Sequence, residues 1–153
     1  MSLELRRLTV GDLDAIERIE LASYPAPWSR AMFAAELAKP GSICLGALDG
    51  ETGLAGFLIV SRYVDAWHVM NVAVAPKSRQ AGIAATLMAE LFTLTADDGS
   101  RGYTLEVRVS NAIAIHLYER LGFVDKGLRR GYYTDNREDA LIMWKGPAGD
   151  EVP

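Results

Sequence analysis

Apolar residues recur along the chain with two different spacings. Alternation of apolar and polar side chains indicates strands, and recurrence every three or four residues indicates helices. The predicted strands cover Leu3–Leu8, Ser42–Leu48, Leu54–Val64, Val69–Val74, Tyr103–Val109, Phe123–Tyr133 and Ala140–Trp144. The predicted helices run from Leu13 to about Tyr24, from Arg30 to Leu37, from within Arg79–Ala84 to about Ala96, and from Ala112 to Leu121.

The order of elements is therefore β-α-α-β-β-β-α-β-α-β-β. Short turns favour antiparallel hairpins among the early strands, whereas a helix between two strands favours a parallel β-α-β unit with a right-handed crossover. We expect an α/β (α+β) fold with a mixed, mostly antiparallel sheet, a central parallel β-α-β unit, and helices on both faces. The length of 153 residues suits one domain, predicted over residues 1–146, with a flexible tail over 147–153.

Composition narrows the class of function. The net charge of −4 gives no basic stripe for nucleic acid, and no apolar run reaches the length of a membrane span. Cys44 is the only cysteine, so no internal disulfide or cysteine zinc cluster is possible. His68 and His116 lack partners at metal-ligand spacing, so no metal site is predicted. We expect a cytoplasmic protein that contacts neither membrane nor nucleic acid directly.

The stretch from Val69 to Leu91 combines a strand, a loop of small residues and a helix start. A helix N-terminus has unpaired N–H groups and a partial positive charge, and small residues at Gly82 and Ala84 would let an anion approach the backbone. The stretch lacks the glycine–lysine pair of a P-loop and the three glycines of a dinucleotide fingerprint. It is therefore a candidate diphosphate site, and a simple strand-to-helix turn is the alternative.

The second half of the chain carries a resemblance to a known family. LEVRVSN at Leu105–Asn111, AIHLYERLGF at Ala114–Phe123, RRGYY at Arg129–Tyr133 and REDALIM at Arg137–Met143 occur in that order, after PWS at Pro27–Ser29. Together with NVAV and RQAGIA, these segments resemble the GNAT superfamily of acetyl-coenzyme A-dependent N-acetyltransferases. The nearest likeness is to the RimI type, which acetylates the N-terminal alanine of a small-subunit ribosomal protein. The likeness extends from about Leu3 to Lys145.

The resemblance implies a role for several positions. It implies a GNAT fold in which Glu106 is the general base and Tyr118 is the general acid. The positions matching the coenzyme-binding segments are Val72, Ala73, Val74, Arg79, Gln80, Ala81, Gly82, Ile83, Ala84, Ala85 and Asn111. The family usually has Gln-Arg or Arg-Arg where this chain has Arg79-Gln80. If the missing arginine holds a phosphate, coenzyme affinity is lower here.

Each of these roles has a structural alternative. Glu106 could be a solvent-facing or Arg108-paired carboxylate on a half-exposed strand. Tyr118 lies at helical spacing from Ala114 and could be a core aromatic. Asn111 could serve only as a helix cap, or as cap and ligand together.

The expected reaction moves acetyl from acetyl-coenzyme A to the N-terminal α-amine of a protein, by direct attack and without a metal. The best candidate acceptor is the N-terminal alanine of a ribosomal protein, and Trp28, Tyr132 and Tyr133 could wall the peptide slot. Trp28 could equally be a plug that closes the core. The alternatives are an acetyltransferase for a small amine or a lysine side chain, or a non-catalytic acyl-coenzyme A sensor.

Overall fold

The computed structural model describes residues 3–147. Its seven strands are Leu3–Arg7 (β1), Ser42–Asp49 (β2), Gly53–Tyr63 (β3), Ala66–Val74 (β4), Tyr103–Arg108 (β5), Val124–Arg129 (β6) and Ala140–Lys145 (β7). Its four α-helices are Leu13–Ser23 (α1), Arg30–Ala38 (α2), Ile83–Thr95 (α3) and Ala112–Arg120 (α4). Short 3-10 helices occupy Val10–Asp12 and Pro76–Ser78. The predicted tail, apart from Pro147, lies outside the described residues.

One mixed sheet contains all seven strands, in the order β1-β2-β3-β4-β5-β7-β6. The pairs β1–β2, β2–β3, β5–β7 and β6–β7 are antiparallel. β4 and β5 are parallel, with Trp67 opposite Tyr103 and His68 opposite Thr104. The predicted parallel β-α-β unit within a mostly antiparallel sheet is therefore confirmed.

Helix starts use the polar residues that the sequence places there. Ser29 Oγ accepts a hydrogen bond from Met32 N at 3.2 Å at the start of α2. Asn111 Oδ1 accepts one from Ala114 N at 3.2 Å at the start of α4. Because the first N–H groups of a helix have no intrahelical partner, these side chains fix where each helix begins.

The chain divides into two compact units, and the first comprises the described residues up to Ser61 together with Met70–Leu94. Its core gathers side chains from α1, α2, β2, β3 and β4, with Ile16, Phe33 and Phe57 fully buried. The rings of Phe33 and Phe57 meet edge to face at 5.6 Å, and Trp28 packs against Phe33 at 5.1 Å. This packing holds α1 and α2 over the strands that lead into the β4–α3 loop.

The second unit comprises Arg62–Val69 and the residues from Thr95 onwards. Alternate residues of β5 are buried, namely Tyr103, Leu105 and Val107, so Thr104 and Glu106 occupy the opposite, partly exposed face. A β-strand points successive side chains to opposite faces, so the pattern of β5 decides which of its residues can reach a ligand.

Two strand boundaries differ from the sequence prediction by more than one residue. β4 begins at Ala66, three residues before the predicted start at Val69. The strand predicted to run to Tyr133 ends at Arg129, because Gly131 adopts a left-handed φ of 59° and its N–H donates to Asp139 Oδ1 at 2.8 Å. The two tyrosines of the RRGYY segment therefore lie in a loop.

Candidate active site

The last residues of β4 are the predicted partners of the coenzyme arm. Ala73 is buried in the core, whereas Val72 and Val74 are half-buried on the other face of the strand. The Tyr24 hydroxyl donates a hydrogen bond to the Val72 carbonyl, so the end of α1 is attached to this strand. No local sequence pattern predicts this contact, which joins residues far apart in the chain.

The loop from Arg79 to Gly82 is exposed and has an unusual backbone. Gln80 and Gly82 both adopt left-handed conformations, with φ of 66° and 73°. Apart from Gly82 itself and its two neighbours in the chain, no residue has an atom within 4 Å of the position that a Cβ on Gly82 would occupy. Only the conformation, and not crowding by the protein, therefore favours glycine here. The space beside Gly82 is open to a ligand.

The helix that follows the loop presents its N-terminus to that space. The N–H of Thr86 is bonded to Gly82 O at 3.0 Å, and the N–H groups of Ile83, Ala84 and Ala85 precede this first helical bond. No acidic residue occupies the first turn of α3, so nothing there opposes a negative ligand. The fully buried Ile83 side chain anchors the turn, and these features fit a diphosphate.

Arg79 turns its side chain towards the protein. Nε donates to Val74 O at 3.1 Å, and Nη2 donates to Ser23 Oγ at 3.2 Å. A weaker contact of Nη2 with Ala22 O measures 3.5 Å. The guanidinium thus connects the loop to the C-terminal end of α1, where carbonyl groups favour a cation.

Glu106 lies in β5 with only 12% of its side chain exposed. Its Oε2 is 2.6 Å from His68 Nε2 on β4, and its Oε1 is 3.8 Å from Arg129 Nε on β6. Arg108 instead binds Asp135 through Nη2 at 3.0 Å. The alternative of a solvent-facing or Arg108-paired carboxylate is therefore wrong.

The neighbours of Glu106 keep the carboxylate ionised. Burial raises the pKa of the Glu106 carboxyl, but the hydrogen bond from His68 and the charges of His68 and Arg129 more than offset it, so the pKa lies below its ordinary value. An ionised carboxylate of this kind can accept a proton at neutral pH.

Helix α4 follows β5 and carries the other two predicted residues. Asn111 is exposed and caps the helix, which leaves the combined role of cap and ligand open. Tyr118 is buried, with 6% of its surface exposed, and its ring meets Phe123 edge to face at 5.7 Å. The expected core contacts of Tyr118 are thus present, and they fix the position of its ring.

The predicted acceptor residues differ in their surroundings. Trp28 is half-buried, packs on Phe33, and donates its backbone N–H to Glu20 Oε2 at 2.9 Å, as expected of a core plug. Tyr132 is 44% exposed, and its ring meets Tyr133 at 5.1 Å. Trp28 therefore has the packing contacts of a plug, and the two tyrosines have the surroundings expected of a wall of the peptide slot.

Arg108 organises the loop that carries these tyrosines. It binds both carboxylate oxygens of Asp135 and also Glu138 Oε1, and its guanidinium lies 3.9 Å from the centre of the Tyr133 ring. Burial raises the pKa of the Tyr133 hydroxyl to about 12, despite the opposing charge of Arg108. Tyr133 therefore stays protonated and can only act as a neutral hydrogen-bonding group or wall.

Cys44 and His116 occupy the places that the sequence indicated. Cys44 is buried in β2, and burial raises the pKa of its thiol to about 11, so the thiolate needed for an acyl-enzyme is disfavoured. His116 is exposed on α4. Within residues 3–147, no group of three or more His, Cys, Asp or Glu side chains is arranged to hold a metal ion.

The mixed sheet with its parallel β4–α3–β5 unit fits a coenzyme-dependent acyltransferase, and comparison with known proteins identifies the family. The sequence profile of the acetyltransferase (GNAT) family matches residues 13–123, so the chain belongs to this family. The predicted fold and the predicted class, an N-acetyltransferase that uses acetyl-coenzyme A, are thereby confirmed.

Several relatives match nearly end to end. The chain is 38% identical to the [ribosomal protein bS18]-alanine N-acetyltransferase of Escherichia coli strain K12 over 139 residues, covering 89% of this chain and 92% of the relative. It is 34% identical over 140 residues to the putative enzyme of that name from Bacillus subtilis strain 168, covering 92% and 93%. The crystal structure of the ribosomal-protein-S18-alanine N-acetyltransferase from Escherichia coli superposes with a TM-score of 0.86 at 33% identity, covering 99% of each chain.

Proposed function

We propose that this protein transfers acetyl from acetyl-coenzyme A to the N-terminal α-amine of a protein, with an N-terminal alanine of a small-subunit ribosomal protein as the acceptor. The observation that carries the proposal is the 38% identity to an enzyme named for that reaction, over nearly the full length of both chains. We also propose a cytoplasmic location, in keeping with the free, buried cysteine.

The coenzyme supplies an activated acetyl thioester, and residues of β4 and of the loop before α3 would hold it. Val72–Val74 and Asn111 would hold the arm of the coenzyme, and the backbone N–H groups of residues 80–85 would hold its diphosphate. The left-handed Gly82, the open space beside it and the absence of acidic residues from the first turn support the second assignment.

Glu106 is proposed as the general base. An α-amine has a reference pKa of roughly 8, so it is mostly protonated at neutral pH, and only the free amine attacks a thioester. Because the pKa of Glu106 lies below its ordinary value, its carboxylate is ionised at neutral pH and has a lone pair to accept that proton, directly or through a water molecule.

Tyr118 is proposed as the general acid that returns a proton to the departing thiolate. Its ring is fixed by burial and by Phe123, which suits a donor that must meet one atom of the coenzyme. The acetyl group passes directly to the amine, because the thiol of Cys44 is buried and protonated.

The deciding experiment identifies the acceptor. A panel of peptides would be incubated with enzyme and acetyl-coenzyme A and analysed by mass spectrometry. The panel contains peptides that begin with alanine, serine or methionine, a peptide with a blocked N-terminus and a free lysine, and a small polyamine. We expect acetylation of the alanine-starting peptide on its α-amine. Modification of only the lysine peptide or the polyamine would contradict the proposal, and no modification of any acceptor would favour a coenzyme sensor.

Substitution of Glu106 tests the chemistry. Glu106→Gln should lower kcat by about a hundredfold at neutral pH, because positioned proton transfer contributes roughly 10²–10⁴-fold. The dissociation constant for acetyl-coenzyme A should be unchanged. Glu119→Gln makes the same change at an exposed carboxylate on α4 and should leave kcat unchanged. A Glu106→Gln enzyme with ordinary turnover would remove Glu106 as the base.

A further inference from the structure

His68 lies beside the proposed general base, although nothing in the sequence distinguished it. β4 and β5 are parallel neighbours with His68 opposite Thr104, and Glu106 is two residues further along the same face of β5. The imidazole Nε2 lies 2.6 Å from Glu106 Oε2, with 26% of the His68 side chain and 12% of the Glu106 side chain exposed. This is a short, charge-assisted and largely desolvated hydrogen bond.

The geometry points to His68 as a positioning residue for Glu106, one that donates Nε2–H to Oε2 and so fixes the rotation of the carboxylate. This inference rests on the proposed function, in which Glu106 takes the proton of the acceptor amine. With Oε2 held by the imidazole, Oε1 becomes the oxygen that can receive this proton. A general base must lie within hydrogen-bond reach of the proton it removes, so its rotation limits the rate.

The other groups near Glu106 do not fix the rotation of its carboxylate. Arg129 approaches Oε1 from β6 at 3.8 Å, beyond hydrogen-bond distance, and 57% of its side chain is exposed. Burial is the main cause of the raised pKa of the Tyr132 and Tyr133 hydroxyls, and the negative charge of Glu106 raises both pKa values further. Arg108 is held by acidic residues of the following loop. Among these groups, His68 alone lies within hydrogen-bond distance of the carboxylate, at 2.6 Å.

Two substitutions of similar length separate the hydrogen bond from packing. His68→Gln retains an N–H donor, whereas His68→Met has an unbranched side chain without one. His68→Met should lower kcat about tenfold at neutral pH, in line with the loss of one hydrogen bond to a charged group, and leave the KM for acetyl-coenzyme A unchanged. His68→Gln should recover most of the lost turnover. His116→Met, at the other histidine of the chain, should match the wild type.

Measuring the pKa of the Glu106 carboxyl distinguishes positioning by His68 from a general effect on the structure. The pKa of Glu106 can be followed by carbon NMR of the free protein, with Glu106→Gln assigning the signal. In His68→Met this pKa should rise, because a group that stabilises the charged form has been removed. His68→Gln should give a pKa of Glu106 between those of the wild type and His68→Met. If His68 acted only through packing, the N–H donor of glutamine would not move this pKa back towards the wild-type value.

A double mutant tests whether His68 acts through Glu106. The turnover of His68→Met combined with Glu106→Gln should equal that of Glu106→Gln alone, because the positioned group is already absent. Suppose that Glu106→Gln is inactive but His68→Met keeps the wild-type kcat and the wild-type pKa of Glu106. This result would overturn the role of His68 and leave Glu106 as the proposed base. Full turnover in Glu106→Gln would overturn the proposed base itself. If His68→Met does not fold, His68→Leu, which also lacks an N–H donor, takes its place with the same expected fall in kcat and rise in the pKa of Glu106, and wild-type values of both in that variant would overturn the inference.

Discussion

At the scale of single residues, Glu20 joins three separate segments. Its carboxyl is buried, with 1% of the residue exposed. Oε2 accepts the backbone N–H of Trp28 at 2.9 Å, and Oε1 accepts Asn71 Nδ2 at 2.9 Å. Glu20 thereby connects α1, the turn before α2 and the strand assigned to the coenzyme arm. Buried carboxylates are costly unless they are hydrogen-bonded, and both oxygens here have a donor.

Removal of this carboxyl should destabilise the fold. Glu20→Ala leaves the N–H of Trp28 and the amide of Asn71 without their acceptor, which should lower the free energy of unfolding by about 1–3 kcal/mol. Urea denaturation measures the change. Glu17→Ala, one turn earlier and joined to Arg30 in a surface ion pair, should cost far less. Equal losses in the two variants would contradict the role given to Glu20.

The same carboxyl makes stability depend on pH in a defined direction. Burial raises the pKa of Glu20, although hydrogen bonds from Trp28 and Asn71 oppose the rise. A carboxyl whose pKa is raised by folding binds its proton more tightly in the folded state, so its contribution is complete below the unfolded pKa and is lost as pH rises through the folded pKa. The stability difference between wild type and Glu20→Ala should therefore shrink as pH rises from about 4 towards 7. A stability difference between wild type and Glu20→Ala that stays constant over this pH range would contradict the raised pKa of Glu20.

At the scale of elements, the connection from β4 to α3 has two left-handed residues, Gln80 and Gly82. Gly99, in the turn after α3, provides a matched position. It has a φ of 75°, close to the 73° of Gly82, and a Cβ on either glycine would meet no atom within 4 Å beyond those of the glycine and its two neighbours in the chain. The two positions share backbone strain but only one of them lies in the proposed coenzyme loop.

Alanine at both positions separates folding from binding. Gly82→Ala and Gly99→Ala should each cost about 1 kcal/mol of stability, because alanine disfavours this conformation. Only Gly82→Ala should also raise the dissociation constant for acetyl-coenzyme A, by about tenfold, as expected if one hydrogen bond to a phosphate is weakened. Isothermal titration measures the binding. An unchanged constant in Gly82→Ala, or an equal rise in Gly99→Ala, would refute the assignment of the loop.

The sequence predicts the individual strands and helices better than the contacts between them. Strands, helices and caps such as Ser29 and Asn111 follow from local spacing, and most were predicted within a few residues. The strand after α4 was predicted too long because tyrosine favours strands, yet the conformation of Gly131 overrides that preference. The contact of Glu106 with His68 joins residues 38 positions apart, and that of Arg79 with Ser23 joins residues 56 apart. Such contacts depend on strand register and helix packing, for which no spacing rule exists.

At the scale of the whole molecule, one sheet of seven strands contains Val72–Val74 and Glu106. The other residues assigned to the coenzyme or to the chemistry lie in the segments that follow β4 and β5 in the chain. No helix within residues 3–147 has the length and apolarity to cross a membrane. The residues assigned to the coenzyme come from β4, the loop and start of α3, and the start of α4. These segments are far apart in the sequence, so the unfolded chain should have little affinity for the coenzyme.

Acetyl-coenzyme A alone should consequently stabilise the protein against heat. A ligand at about 100 times its dissociation constant adds about 2.7 kcal/mol, which corresponds to a rise in Tm of about 5–10 °C for a chain of this size. Differential scanning calorimetry without any acceptor measures the shift. Glu106→Gln should show the full shift, because it alters the chemistry and not the binding, whereas Gly82→Ala should show a smaller one at the same concentration. A loss of the shift in Glu106→Gln would mean that this carboxylate holds the coenzyme instead of receiving the proton.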